Sequence, residues 1–185
     1  MVNLLLWIPI GIVGIILLWL IFAYNRLIIL RTRIDNAWSQ IDVQLKRRYD
    51  LIPNLIETVK GYAKHEKGVF EAVTKARTAF MKAGSLAEKA KASNQITSAL
   101  KSLFAVAESY PTLKANENFM QLQEELSGTE SKIAYSRQFY NDNVMSFNQS
   151  IMTFPTNLIA NMFKFVQREY FKTAEGEKKP VKVKF

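Results

Sequence analysis

LLLWIPIGIVGIILLWLIFA, Leu4 to Ala23, contains no charged side chain, and the first one in the chain is Arg26. Twenty residues rising ~1.5 Å each match the ~30 Å hydrocarbon layer of a bilayer. The run therefore predicts a transmembrane helix within a first segment, residues 1–24, with Leu4, Trp7, Trp19 and Ala23 as membrane-anchor residues. A cleaved secretory signal has a positive start, a shorter apolar stretch and a small-x-small cleavage site. No Lys or Arg precedes this run, and Phe22, Ala23, Tyr24 and Asn25 make a poor cleavage site, so a retained anchor is expected. The rings of Trp7, Trp19 and Tyr24 suit the headgroup level. Gly11 and Gly14 lie three apart and do not form the GxxxG close-packing motif.

Arg26, Arg31 and Arg33 follow the span at once. The positive-inside rule then puts the N-terminus outside and the long C-terminal part in the cytoplasm of a single-pass inner-membrane protein, with these arginines at the membrane surface. The chain has no Cys, which agrees with a reducing compartment.

About 160 residues remain beyond the anchor, enough for one domain with a continuous core. Five Pro, seven Gly and abundant Ala, Leu, Glu, Lys and Gln point to helix. The formal charge of +9 is uneven: residues 26–48 carry six basic and two acidic side chains, and residues 164–184 carry seven basic and three acidic. Near a bilayer the simplest partner for such charge is anionic lipid, the other reading being a solvated face that aids solubility. Nucleic acid is not expected, because no binding motif and no basic stripe interleaved with aromatics is present.

Leu27, Leu30, Ile34, Trp38, Ile41 and Leu45 recur at steps of three and four, so the anchor and the first soluble helix read as one rod. A break is expected near Tyr49, with Asp50 as N-cap and Pro53 in the first turn of a second helix that runs to Gly84. Ser85 opens a third helix, which ends at Tyr110 before Pro111. Asn116 caps a fourth of about 37 residues, through Gly128, until Pro155 stops it. The expected fold is all-α: a transmembrane helix continuous with an elongated antiparallel four-helix bundle (residues 25–155), then a short amphipathic helix and an extended basic tail (residues 156–185). Leu158, Ile159, Met162, Phe163, Val166 and Tyr170 share one side of that last helix, which can lie in a lipid interface, meet a neighbouring chain or close its own bundle. The terminal VKVKF, ending at Phe185, needs another helix or subunit to order it. Leu158, Ile159, Met162, Phe163, Val166 and Phe185 are thus the candidate contacts to lipid or to other copies.

Two stretches then identify a resemblance. DNAWSQIDVQLKRRYDLIPNLIETVKGYAKHE (Asp35 to Glu66) and RQFYNDNVMSFNQSIMTFPTNLIANMFKFVQREYF (Arg137 to Phe171) closely resemble the LemA family of bacterial single-span membrane proteins, a similarity that extends over Tyr24 to Phe185. Asn143 departs from it, standing where small residues such as Ala are common. The resemblance implies an N-terminal anchor followed by a long antiparallel helical bundle, with no established enzymatic activity.

Chemistry needs convergent groups, and few are offered. His65 is the only His, and one His beside Glu66 makes neither a zinc site nor a catalytic triad. No nucleophile elbow or Gly-rich phosphate loop frames the Ser and Asp residues. No enzyme, cofactor or metal is expected. Asn141 and Asn148 lie seven apart on one face, and Tyr140 is beside them; Gln40 flanks Trp38 on the first helix. Amides near an apolar stripe must find partners, so this group is expected to fix helix register, the alternative being recognition of a partner protein. Two functional readings follow: a homo-oligomeric scaffold that shapes the membrane, or an anchored adaptor for a signalling protein or membrane protease.

Overall fold

The structure, a computed structural model, describes the backbone of residues 2–172 and the side chains of residues 7–172; the side chain of Leu4 and all of Phe185 lie outside the described residues. It consists of α1 (Val2–Tyr62), α2 (Lys67–Lys82), α3 (Leu86–Ala107), α4 (Pro111–Lys114), α5 (Glu117–Met152) and α6 (Thr156–Met162). No strand occurs among the described residues. The chain is all-α, and the apolar run is continuous with the first bundle helix.

The local signals act where expected. Ser85 accepts from the Glu88 N–H while the Glu88 carboxylate accepts from the Ser85 N–H, a complete capping box at the head of α3. Asn116 Oδ1 accepts from the Phe119 N–H at 3.0 Å and caps α5. Gly128 sits inside α5, and α5 ends three residues before Pro155. Between Tyr110 and Asn116 the chain forms the extra four-residue α4, with Pro111 at its first position.

The break expected near Tyr49 does not occur: α1 runs through Asp50 and Pro53 to Tyr62. Pro53 removes one hydrogen bond and costs ~3 kcal/mol in a helix interior. Against that, Ile52, Leu55 and Val59 are fully buried and Ile56 is 9% exposed, and each such burial contributes about 1.5–3 kcal/mol. The tertiary gain exceeds the local penalty. The expected second helix is divided instead at residues 63–66, which hold the exposed Lys64 and His65. An unbroken helix could not have folded its two apolar stripes onto one another. The turn allows it, bringing Tyr49 to 6.3 Å from Phe80 and Lys60 to 5.7 Å above the Phe70 ring.

Two compact units form. One comprises residues 40–137 together with Phe171 and Lys172. Here the last part of α1, α2, α3 and the first part of α5 make an up-down-up-down bundle. Asp42 and Arg48 of α1 meet Lys89 and Ser93 of α3, so these helices run parallel, whereas Tyr62 meets Asn116 and Arg48 meets Glu130 on the antiparallel α5. The bundle's core includes Leu55, Val59, Val73, Leu100, Leu103 and Phe119.

The other unit comprises residues up to 39 and residues 138–170. Its buried side chains include Ala23, Leu27, Ile34 and Ala37 from α1, Tyr140, Val144, Phe147 and Ile151 from α5, and Ile159 and Ala160 from α6. The amphipathic helix expected to reach Tyr170 stops at Met162. Lys164, at φ 56°, takes the left-handed conformation, with its N–H donating to Asn161 O at 3.2 Å and the Phe165 N–H to Ala160 O at 2.8 Å. These two bonds are a Schellman termination, a position glycine ordinarily fills because other residues give up about 1 kcal/mol there. From Phe165 to Lys172 the chain is a strap that is neither helix nor strand. Phe165 packs 6.2 Å from Phe147 and 6.1 Å from Tyr24, and such contacts outweigh the extra turns a longer helix would have made.

Candidate functional site

Along α1 the solvent changes at Ala23. Trp7 (69% exposed), Ile8, Val13 and Ile16 point to four different sides of the helix and are uncovered by protein, and Trp19 is 36% exposed. Ala23 itself is buried in its unit, and from there a protein-facing residue recurs at Leu27, Ile34 and Ala37. An apolar helix exposed all round is stable only where its surroundings are apolar. It is the one helix among the described residues long and apolar enough to cross a membrane. Arg26, Arg31 and Arg33 are all exposed; Arg26 and Arg33, seven apart, share a face that Arg31 does not.

The strap is held by side chains that bind its backbone. Asn148, buried on α5, donates through Nδ2 to the carbonyl of Arg168 at 2.9 Å and accepts from the Arg168 N–H at 2.8 Å. Tyr140 donates its hydroxyl to the Glu169 carbonyl at 3.0 Å and meets Trp38 edge-on at 6.1 Å. Burial foremost pushes the Tyr140 hydroxyl above its ordinary value; Arg168 opposes the shift, while Asp35 and Glu169 add to it. The phenol remains a donor at neutral pH. Arg168 also reaches Asp35 at 3.4 Å. Of the five residues expected to set register, Tyr140 and Asn148 thus hold the strap, and Trp38 packs against Tyr140. Asn141 is half-buried beside them, and Gln40 is exposed.

A second polar cluster escaped the sequence reading. Arg48, completely buried, donates to Ser93 O at 3.2 Å, Ser93 Oγ at 2.7 Å, Thr97 Oγ1 at 3.0 Å and the Glu130 carboxylate. Arg137 donates to the same Ser93 hydroxyl and stacks 4.7 Å over Phe171. Three helices, α1, α3 and α5, are thereby tied at one level. The available signal was phase: Arg48 falls three residues after Leu45 and four before Ile52, both buried.

The remaining positions are as follows. Leu158, Met162, Phe163 and Val166 are more than half exposed, whereas Ile159 is buried within its own unit. His65 is exposed in the α1–α2 turn, and no group of three His, Cys, Asp or Glu suited to a metal occurs among the described residues.

Asn148, Tyr140 and the Arg48 cluster lie in the region, residues 37–185, that matches the model of the LemA family. This chain belongs to the LemA family. Among its relatives, magnetosome protein MamQ 2 of Paramagnetospirillum magneticum is 24% identical over 188 residues, covering 88% of this chain and 69% of that protein. Protein LemA of Metamycoplasma hominis is 28% identical over 155 residues, covering 83% and 71%. MamQ of Magnetospirillum gryphiswaldense is 22% identical over 178 residues, covering 82% and 65%. With its exposed apolar helix joined to a LemA bundle, the chain is a membrane-anchored helical protein.

Proposed function

We propose that this LemA-family member is a non-enzymatic scaffold that assembles from many copies on the inner membrane and shapes the bilayer. In this reading the N-terminus is outside, the bundle is in the cytoplasm, and Arg26 and Arg33 contact anionic lipid. The observation that carries it is an apolar corner on the anchored unit. Phe154 (74% exposed), Leu158 (59%) and Met162 (63%) are uncovered by their own fold, and Phe163 beside them packs against Tyr24, ring centroids 4.6 Å apart, where the apolar run ends. Anchored copies hold these corners at one height, so association no longer costs all of the translational and rotational freedom it takes from free molecules, and a clustered apolar surface favours contact. The non-enzymatic part is supported by how the buried polar groups are used: Arg48, Arg137, Tyr140 and Asn148 all spend their hydrogen bonds on holding the fold.

The test is the size of the full-length protein by electron microscopy in mild detergents and in lipid, for wild type and for Leu158→Glu with Met162→Glu. Both positions are exposed, so helicity should be kept. Large assemblies are expected for wild type and their loss for the double variant. If wild type runs only as monomers or small oligomers throughout, the scaffold reading fails and the anchored adaptor for a signalling protein or membrane protease replaces it.

A further inference from the structure

A cavity of about 310 Å³ opens in the anchored unit where α1 leaves its apolar run. One part of its wall is apolar and aromatic: Tyr24, Ile28, Phe147 and Phe165. The other is cationic: Arg31, Lys164 and Arg168. Asp35, largely exposed, pairs with Arg168 at 3.4 Å, and none of the lining residues is acidic. Three cations on the wall leave a positive surplus beside an apolar surface, which suits an amphiphilic anion better than a free one.

Its height fits such a ligand. Ile28 and Arg31 follow Tyr24 by four and seven residues, roughly 6 and 10 Å along the helix. The headgroup layer is about 5–8 Å deep on each side of the hydrocarbon. Side chains on a helix lean toward its N-terminus, so the Arg31 guanidinium is carried back toward that layer.

Two features of the fold hold the cations in place. Asn148 grips both backbone atoms of Arg168. Lys164 occupies the left-handed position of the Schellman turn, where backbone sterics favour glycine, and its side chain stands on the cavity wall.

We propose that this cavity binds the phosphate headgroup of an anionic phospholipid of the membrane that α1 crosses, Arg31, Lys164 and Arg168 facing the phosphate and Tyr24 and Ile28 the glycerol and upper acyl chain. The proposal rests on the anchored reading, though not on self-assembly.

Calorimetry of the full-length protein in neutral detergent tests it, titrating dihexanoyl phosphatidylglycerol, dihexanoyl phosphatidylcholine or inorganic phosphate. Saturable binding of the anionic lipid is expected, with weak binding of the other two. Arg31→Gln and Lys164→Gly should each weaken it roughly fivefold, in line with the contribution of one basic residue near an anionic surface. Lys164→Gly separates the site from the fold, because it should melt no lower than wild type while binding more weakly. Lys64→Gln with Lys114→Gln, exposed and off the cavity wall, should leave the short-chain lipid unaffected. Equal binding of both lipids, equal binding of inorganic phosphate, or an equal loss in the Lys64 and Lys114 variant would overturn the site. Retention in carbonate-washed membranes reports the anchor separately, so failure of the cavity and failure of the anchor give different results.

Discussion

Removing either member of the Arg48–Glu130 pair should damage the bundle unequally. Breaking a buried ion pair from one side costs about 3–5 kcal/mol, because the partner is left uncompensated. The two partners here differ in their access to water: the Arg48 side chain is 0% exposed and that of Glu130 is 31% exposed. Arg48→Met strands a carboxylate that water reaches in part and that keeps the Thr97 hydroxyl at 3.1 Å, so its cost lies near 3 kcal/mol. Glu130→Leu strands a wholly buried guanidinium that already shares Ser93 Oγ with Arg137, and its cost approaches 5 kcal/mol. For a chain of this size each kcal/mol moves the midpoint by about 2–4 °C, giving drops of about 6–12 °C and 10–20 °C. The double variant removes both charges and should recover most of the larger loss. Thermal unfolding of the full-length protein in detergent, followed by circular dichroism, measures all three. The reasoning is wrong if Arg48→Met is the worse single variant, or if the double variant loses the sum of the two.

The other predictions concern the strap and the α3 cap. Asn148→Ala removes both bonds to Arg168; it should cost about 2 kcal/mol and release the Arg168 amide to rapid hydrogen exchange, and continued protection there would show that the strap is held by something else. The Glu88 carboxyl lies below its ordinary value of 4.5 because it accepts the N–H groups of Gly84, first, and Ser85. A depressed acid stabilises the fold above its unfolded-state value and loses that contribution as pH falls through the folded value. The first turn of α3 should therefore fray as pH drops below about 4.5, seen as faster exchange at the Ser85 and Glu88 amides, and an unshifted Glu88 titration by NMR would contradict the capping geometry.

What could be read from the sequence was whatever neighbouring residues decide between themselves. Ser85 with Glu88, Asn116 with Phe119, and Pro111 at a helix start each act within three or four positions, and each lies where its local chemistry put it. Pro53 misled because the decision there was tertiary: Ile52, Leu55, Ile56 and Val59 have more to gain in the core than one absent N–H takes away. The strap misled in the opposite sense. Leu158 to Tyr170 keeps helical periodicity, yet Asn148 and Tyr140, twenty and twenty-nine residues from their strap partners, offer its backbone bonds that no local pattern announces. Arg48 was hidden in the run Lys46, Arg47, Arg48, which looks like a solvated basic face until its phase within the apolar stripe is counted. The candidate site was accordingly half visible: the Arg26, Arg31 and Arg33 flank could be read directly, but the cavity wall is assembled from residues over a hundred positions apart.

The latch at Asn148 reads only main-chain atoms, and the amide is indifferent to the side chain that residue 168 carries. Segments clamped in this way are free to diverge in charge and size without renegotiating how they fold. A substitution at position 168 can thus change the charge on this surface while the strap keeps its place.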